Sequence, residues 1–95
     1  TYEATLVALA RGKCFFMGGG LHHAFQAGGR GFCQVHDVAI AIGKLRAENK
    51  AQRFWVLDVD AHKGDGTALI FEHDPDVLTF SIHMKHSWPL NLGAG

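Results

Sequence analysis

The sequence predicts an α/β fold in which helices flank a parallel sheet. Short apolar runs alternate with segments of helical periodicity, which is the order of strand–helix–strand units. The run at 53–59 also has few polar interruptions, which is typical of a strand that is buried on both faces. The chain shows no internal repeat, and we expect a single domain over 1–95.

Local patterns predict the first elements. Apolar residues at helical spacing predict a helix over 2–10, which Gly12 can terminate. The apolar run at 14–17 predicts a short buried strand, and the glycine-rich segment at 18–31 predicts a loop. Asp37 is a natural N-cap for a helix over 38–49.

The second half continues the alternation. The strand at 53–59 leads through a turn at 64–66 into a short helix over 67–73. Pro75, between two aspartates, ends that helix, and a third strand follows at 77–83.

Composition excludes several classes of protein. Nine basic and nine acidic side chains give a net charge of zero, so no direct binding of nucleic acid or of an anionic membrane is expected. No apolar run approaches the roughly 20 residues of a membrane span, and we see no secretory signal pattern. Two cysteines, Cys14 and Cys33, are too few for a disulfide framework and predict reduced thiols of an intracellular protein.

Acids and histidines follow each of the three predicted strands. Ligands bind at the carboxyl ends of parallel strands, and alternate residues of a strand share one face, so we expect a single site. Aspartate and imidazole together suit a borderline divalent ion, above all zinc. The residues are His22 and His23 after the first strand, Asp58, Asp60, His62 and Asp65 after the second, and Ser81 and His83 at the third.

Other motif classes fit poorly. An EF-hand loop that begins at Asp58 would need glycine where Lys63 stands and glutamate where Leu69 stands. The chain has no G-x-S-x-G elbow for serine catalysis, no dinucleotide fingerprint and no P-loop.

Four motifs occur in order along the chain: GGGLHHA at 18–24, GRGFCQVHDVAIAI at 29–42, LDVDAHKGDGT at 57–67 and LTFSIH at 78–83. Together they resemble the zinc-dependent histone deacetylase family, which includes bacterial acetoin-utilisation and acetylpolyamine deacetylases. The relaxed DAHKGDG and the SIHMKHSWPL ending are most similar to bacterial and class IV members. The resemblance implies part of an arginase/deacetylase-type, three-layer α/β catalytic domain.

The resemblance implies zinc-dependent hydrolysis of an N-acetyl amide, with acetyl-lysine or an acetylated small amine such as an acetylpolyamine as substrate. Asp60 and His62 would bind the zinc ion, and His22 and His23 would transfer protons as an acid/base pair.

Two carboxylates would support the histidines. By the same resemblance, Asp58 would hydrogen-bond His22 and Asp65 would hydrogen-bond His23. A carboxylate behind an imidazole fixes its tautomer and raises its basicity.

The resemblance also implies a substrate tunnel and structural potassium. Gly31 and Phe32 would line the tunnel, and Trp88 would stand at its rim. One potassium ion would be held by main-chain oxygens of Asp58, Asp60, His62 and Ile82 and by the Ser81 hydroxyl. A second monovalent site would lie near Phe71 and Val77.

The sequence departs from the family at three points. Lys63 stands where many members have a second histidine, and His36 stands where many have asparagine. The third zinc ligand of the family, an aspartate, and its carbonyl-polarising tyrosine follow the SIH motif. This chain ends at Gly95 and has Tyr2 as its one tyrosine, so we expect two zinc ligands here.

Two alternatives stay open. The chain could be a truncated, non-catalytic α/β fragment or an oligomerising module, with weak metal binding or none. An arginase-like dimanganese hydrolase shares the fold, but it needs more bridging carboxylates and lacks the GFC motif. We expect a cytoplasmic location for a bacterial chain, and a nuclear or cytoplasmic one for a eukaryotic chain.

Overall fold

The computed structural model describes residues 1–24 and 35–85. The two strands in this part, β1 (Phe54–Asp58) and β2 (Val77–Ser81), pair in parallel. The helices in the same part are α1 (Tyr2–Arg11), α2 (Asp37–Ala47) and α3 (Asp65–Phe71). The connection from β1 to β2 contains α3. The α/β class and the parallel sheet are therefore as predicted.

The first helix ends where the sequence predicts. Gly12 adopts a left-handed φ of 96°, and its N–H donates to the carbonyl of Ala8 at 2.7 Å. Glycine is favoured here because it carries no Cβ to oppose this conformation. α1 lies against α2: the Tyr2 hydroxyl donates to Glu48, and the Lys44 ammonium lies 4.2 Å from the centre of the Tyr2 ring.

The N-cap of α2 is His36, one residue earlier than predicted. Its Nδ1 accepts the N–H of Ala39 at 3.1 Å, and Asp37 is the first helical residue. His36 is 5% exposed. Burial lowers the pKa of its imidazole, because a charged ring is poorly solvated there. The neutral ring is the form that can accept the capping hydrogen bond.

The core lies on one face of the sheet. Ile42, Phe71 and Val77 form its buried centre, and residues of α2, α3 and β1 surround them. The prediction that β1 is buried on both faces is wrong: Trp55 is 79% exposed and Leu57 is 66% exposed. Side chains alternate along a strand, and α2 and α3 both contribute to the same core, so the other face stays open in the described part of the chain.

The predicted strand at 14–17 is also wrong. These residues form no strand and are exposed, with Phe15 at 87% and Met17 at 91%. An apolar run becomes a strand only when a neighbouring strand can accept and donate its backbone hydrogen bonds. In residues 1–24 and 35–85, the two paired strands are β1 and β2.

An ion pair ties the end of α2 to the turn before β2. Arg46 donates from both terminal nitrogens to Asp74, at 2.6 and 2.8 Å. The guanidinium lowers the pKa of Asp74 to about 2.

No helix within 1–24 and 35–85 has the length and apolar character needed to cross a bilayer.

Acidification is expected to remove the contribution of this ion pair. The pKa of Asp74 is lower in the folded state than the usual value of about 3.9, so its contribution is fully present above pH 4 and is lost as the pH falls towards 2. Thermal melts of the wild type and of Asp74→Asn should therefore differ at pH 6 and converge near pH 2. A constant difference across this range would contradict the assignment.

Candidate active site

Two tight turns after β1 carry the metal-binding pattern. Asp58 is the last residue of the strand, and its Oδ1 accepts the N–H of Asp60 at 3.0 Å. Asp60 repeats the arrangement: its Oδ1 accepts the N–H of His62 at 2.9 Å. Asp60 and His62 therefore lie beyond the strand, in two consecutive turns. Aspartate favours such turns because its carboxylate bonds the backbone two residues ahead.

The paired histidines follow a turn that depends on glycine. Gly19 and Gly20 have φ values of 74° and 73°, which L side chains rarely adopt. His22 then donates its N–H to the carbonyl of Gly20 at 2.8 Å. The imidazole rings of His22 and His23 stand side by side, with centroids 4.1 Å apart and planes tilted by 40°.

Each histidine has a carboxylate at Nδ1. His22 contacts Asp58, and His23 lies 2.7 Å from Asp65 Oδ1. These are the two hydrogen bonds that the resemblance implies. Asp65 is the first residue of α3 and Gly64 is the N-cap. The Asp65 carboxylate additionally accepts the N–H of Gly66 at 3.0 Å.

The carboxylates fix which nitrogen of each ring carries the proton in the neutral form. A neutral imidazole that donates from Nδ1–H to a carboxylate keeps a basic lone pair on Nε2. The Nε2 of His22 lies 3.7 Å from Asp60 Oδ1, so this nitrogen faces the predicted zinc ligands. The side chains of His22 and His23 are 14% and 6% exposed, which limits competition from bulk water.

Asp60 and His62 fit as two ligands of a zinc ion. Asp60 Oδ1 and His62 Nδ1 are 3.6 Å apart. Two ligands of a tetrahedral zinc, each about 2.0–2.1 Å from the metal, are separated by about 3.3 Å. The hydrogen bond from the His62 backbone lowers the pKa of Asp60, which favours the anionic form that binds a cation. Within 1–24 and 35–85, no three His, Cys, Asp or Glu side chains are grouped to hold a metal.

Three of the residues predicted to hold potassium, Asp58, Ser81 and Ile82, meet at the ends of the strands. Asp58 and Ser81 are partners in the parallel register, and the Ile82 N–H donates to the Asp58 carbonyl at 2.9 Å. The Ser81 hydroxyl accepts the N–H of Gly64 at 3.3 Å and lies 2.8 Å from His83 Nδ1. Potassium binding at this position stays a prediction.

The substrate tunnel and the second monovalent site stay predictions. Gly31, Phe32 and Trp88 fall outside the described residues. Phe71 and Val77, predicted to lie near the second monovalent site, are buried in the core.

Sequence reasoning treated Asp37 as a helix cap and overlooked Thr67, yet both contact the segment that carries the histidines. The sequence alone gives no signal for these contacts, because they join residues that are far apart in the chain.

The profile of the histone deacetylase domain matches residues 3–95. This chain belongs to the histone deacetylase family. The match includes the segments that carry both His–Asp pairs and the two predicted zinc ligands.

Bacterial relatives support this membership. An uncharacterized protein of Picosynechococcus sp. is 46% identical over 83 residues, which is 87% of this chain and 28% of that protein. The acetoin utilization protein AcuC of Bacillus subtilis is 45% identical over 67 residues, and that of Staphylococcus aureus strain COL is 48% identical over 67 residues. Each AcuC match covers 70% of this chain and 17% of the relative. The chain thus spans less than a third of each of these relatives.

Proposed function

We propose that this chain forms part of a zinc-dependent deacetylase that hydrolyses the N-acetyl amide of acetyl-lysine or of an acetylated small amine. The observation that carries the proposal is the pair of adjacent histidines, each with a carboxylate at Nδ1, beside Asp60 and His62. Proton transfer and a cation site are the two requirements of metal-assisted amide hydrolysis.

The carboxylates set the chemistry of the histidines. Asp58 and Asp65 hold the Nδ1–H of His22 and His23, so Nε2 of each ring is the atom that accepts or donates a proton. One ring accepts a proton from the attacking water, and a protonated ring later supplies a proton to the leaving amine. The carboxylates stabilise the imidazolium that forms between these steps.

Asp60 and His62 would hold the zinc ion, which when bound supplies Lewis-acid polarisation of the acetyl carbonyl. Their side chains are 54% and 43% exposed, respectively. Potassium beside this site, held through Asp58, Asp60, His62, Ser81 and Ile82, belongs to the same proposal.

The finer features follow family membership. We propose the three-layer arginase/deacetylase architecture for the complete domain and an acyl-chain tunnel lined by Gly31 and Phe32. A cytoplasmic location, as expected for a bacterial chain, belongs to the same proposal. Association of further copies of the chain remains a proposal that sedimentation would test.

Turnover of acetylated reporters tests the proposed function. The zinc-loaded protein is expected to release acetate from an acetyl-lysine peptide or from an N-acetylated diamine. A chelator should abolish the release, and added zinc should restore it. Zinc-loaded protein that releases no acetate from either substrate would contradict the proposal and favour a non-catalytic module. Activity that requires two manganese ions would favour the arginase-like alternative.

A further inference from the structure

The first residue of α2 forms hydrogen bonds with the turn that precedes the histidines. The carboxylate of Asp37 accepts the N–H of Gly20 on Oδ2 and the N–H of Leu21 on Oδ1, each at 2.9 Å. The Thr1 hydroxyl also donates to this carboxylate. Gly20 and Leu21 directly precede His22, so Asp37 fixes the backbone from which the first histidine projects.

The turn is shaped around this carboxylate. A Cβ on Gly19 would overlap with Asp37 Oδ2, and Gly19 already has a φ that favours glycine. Burial would raise the pKa of Asp37, but the hydrogen bonds from Leu21, Thr1 and Gly20 outweigh it and lower the pKa. Asp37 is therefore ionised at neutral pH, and hydrogen bonds to an ionised acceptor are about twice as strong as neutral ones.

The beginning of α3 holds the same segment from the other side. The backbone N–H groups of Gly66 and Thr67 donate to the His22 carbonyl, at 2.9 and 3.3 Å. Asp65, the residue before them, is the partner of His23. The position of α3 therefore fixes the His22 backbone and also places the Asp65 carboxylate beside His23.

A buried side-chain contact joins the two helix starts. His36 Nε2 lies 2.7 Å from the Thr67 hydroxyl oxygen, and both residues are at most 5% exposed. Since Nδ1 of His36 accepts the N–H of Ala39, Nε2 carries the proton in the neutral ring and donates to Thr67.

We propose that His36 and Asp37 are positioning residues for the paired histidines, acting through a closed ring of hydrogen bonds. The ring runs from Asp37 to the glycine turn, through the His22 carbonyl to Thr67, and back through His36. It keeps His22 in reach of Asp58 while α3 presents Asp65 to His23. This inference rests on the proposed function, in which these histidines transfer protons.

Kinetics of two matched variants on the same helix test the ring. Asp37→Asn replaces one carboxylate oxygen, which accepts a backbone N–H, with an NH2 group. Two hydrogen-bond donors then face each other. It is expected to lower kcat about 10- to 100-fold at unchanged KM, because a small displacement of a reacting group is costly. Glu48→Gln makes the same chemical change at the far end of α2, where Glu48 accepts from Tyr2, and should leave kcat unchanged. Equal kcat in both variants would contradict the proposal.

Imidazole NMR tests the ring without turnover. The Nδ1–H protons of His22 and His23 should give downfield signals in the wild type and in Glu48→Gln. The His22 signal is expected to shift or disappear in Asp37→Asn and in Thr67→Val, an isosteric change that breaks the ring at another bond. Unchanged signals in both ring variants would overturn the inference. If Asp37→Asn does not fold, Thr67→Val decides. If the wild type lacks turnover, the proposed function fails and NMR still decides the ring.

Discussion

His22→Ala is expected to lower kcat by about 100- to 10,000-fold, the range typical for loss of a positioned general acid or base. The Nε2 of His22 faces Asp60 and its Nδ1 is held by Asp58, so the ring lies between a carboxylate and a predicted zinc ligand. Steady-state kinetics on an acetyl-lysine peptide measure the effect. His23→Ala should have an effect in the same range, because Asp65 supports it equivalently.

An exposed histidine supplies the matched control. His73 is 91% exposed and lies 3.5 Å from Glu72, away from both His–Asp pairs. His73→Ala should leave kcat and KM unchanged. A wild-type rate in His22→Ala, or an equal loss in His73→Ala, would contradict the role assigned to the paired histidines.

Gly66→Ala is expected to destabilise the fold by more than about 3 kcal/mol, beyond the usual cost of overpacking. A Cβ at this position would collide with the backbone carbonyl of Ala24, and it would lie 2.8 Å from the His22 carbonyl oxygen. Backbone atoms cannot move aside as a flexible side chain can. The N–H of Gly66 also donates to His22, so the same change disturbs the segment that carries the histidines. Urea unfolding measures the loss.

Gly43 provides the contrasting substitution. It lies in α2, and a Cβ there would meet no atom within 4 Å. Gly43→Ala should raise the free energy of unfolding by up to about 1 kcal/mol, because alanine has the higher helix propensity. Similar stability changes in the two variants would contradict the packing described around Gly66.

Local patterns in the sequence were sufficient for the fold class and for several element positions. The apolar run at 53–59 contains β1, the aspartates around Pro75 precede β2, and Gly12 ends α1. Local patterns were not sufficient to predict the contacts within the candidate site. Its two His–Asp hydrogen bonds join residues 36 and 42 positions apart, and they were expected only through the resemblance of four ordered motifs.

The failures have physical causes that are not local. Trp55 and Leu57 look like core residues, yet their face of the sheet is open in the described part of the chain. The run at 14–17 has strand-forming residues but no strand beside it. Asp60 and His62 leave the strand direction because each preceding aspartate bonds the backbone two residues ahead. His36 caps α2 because its buried ring also reaches Thr67.

The zinc content of the purified protein and of Asp60→Ala tests the central claim most directly. Elemental analysis should find about one zinc ion per chain in the wild type, which Asp60→Ala should lose because it removes one of the two predicted ligands. Asp76→Ala, which changes an exposed carboxylate near Arg46 and Arg53, should retain the metal. A wild type without zinc, or equal zinc in wild type and Asp60→Ala, would contradict the assignment of this site.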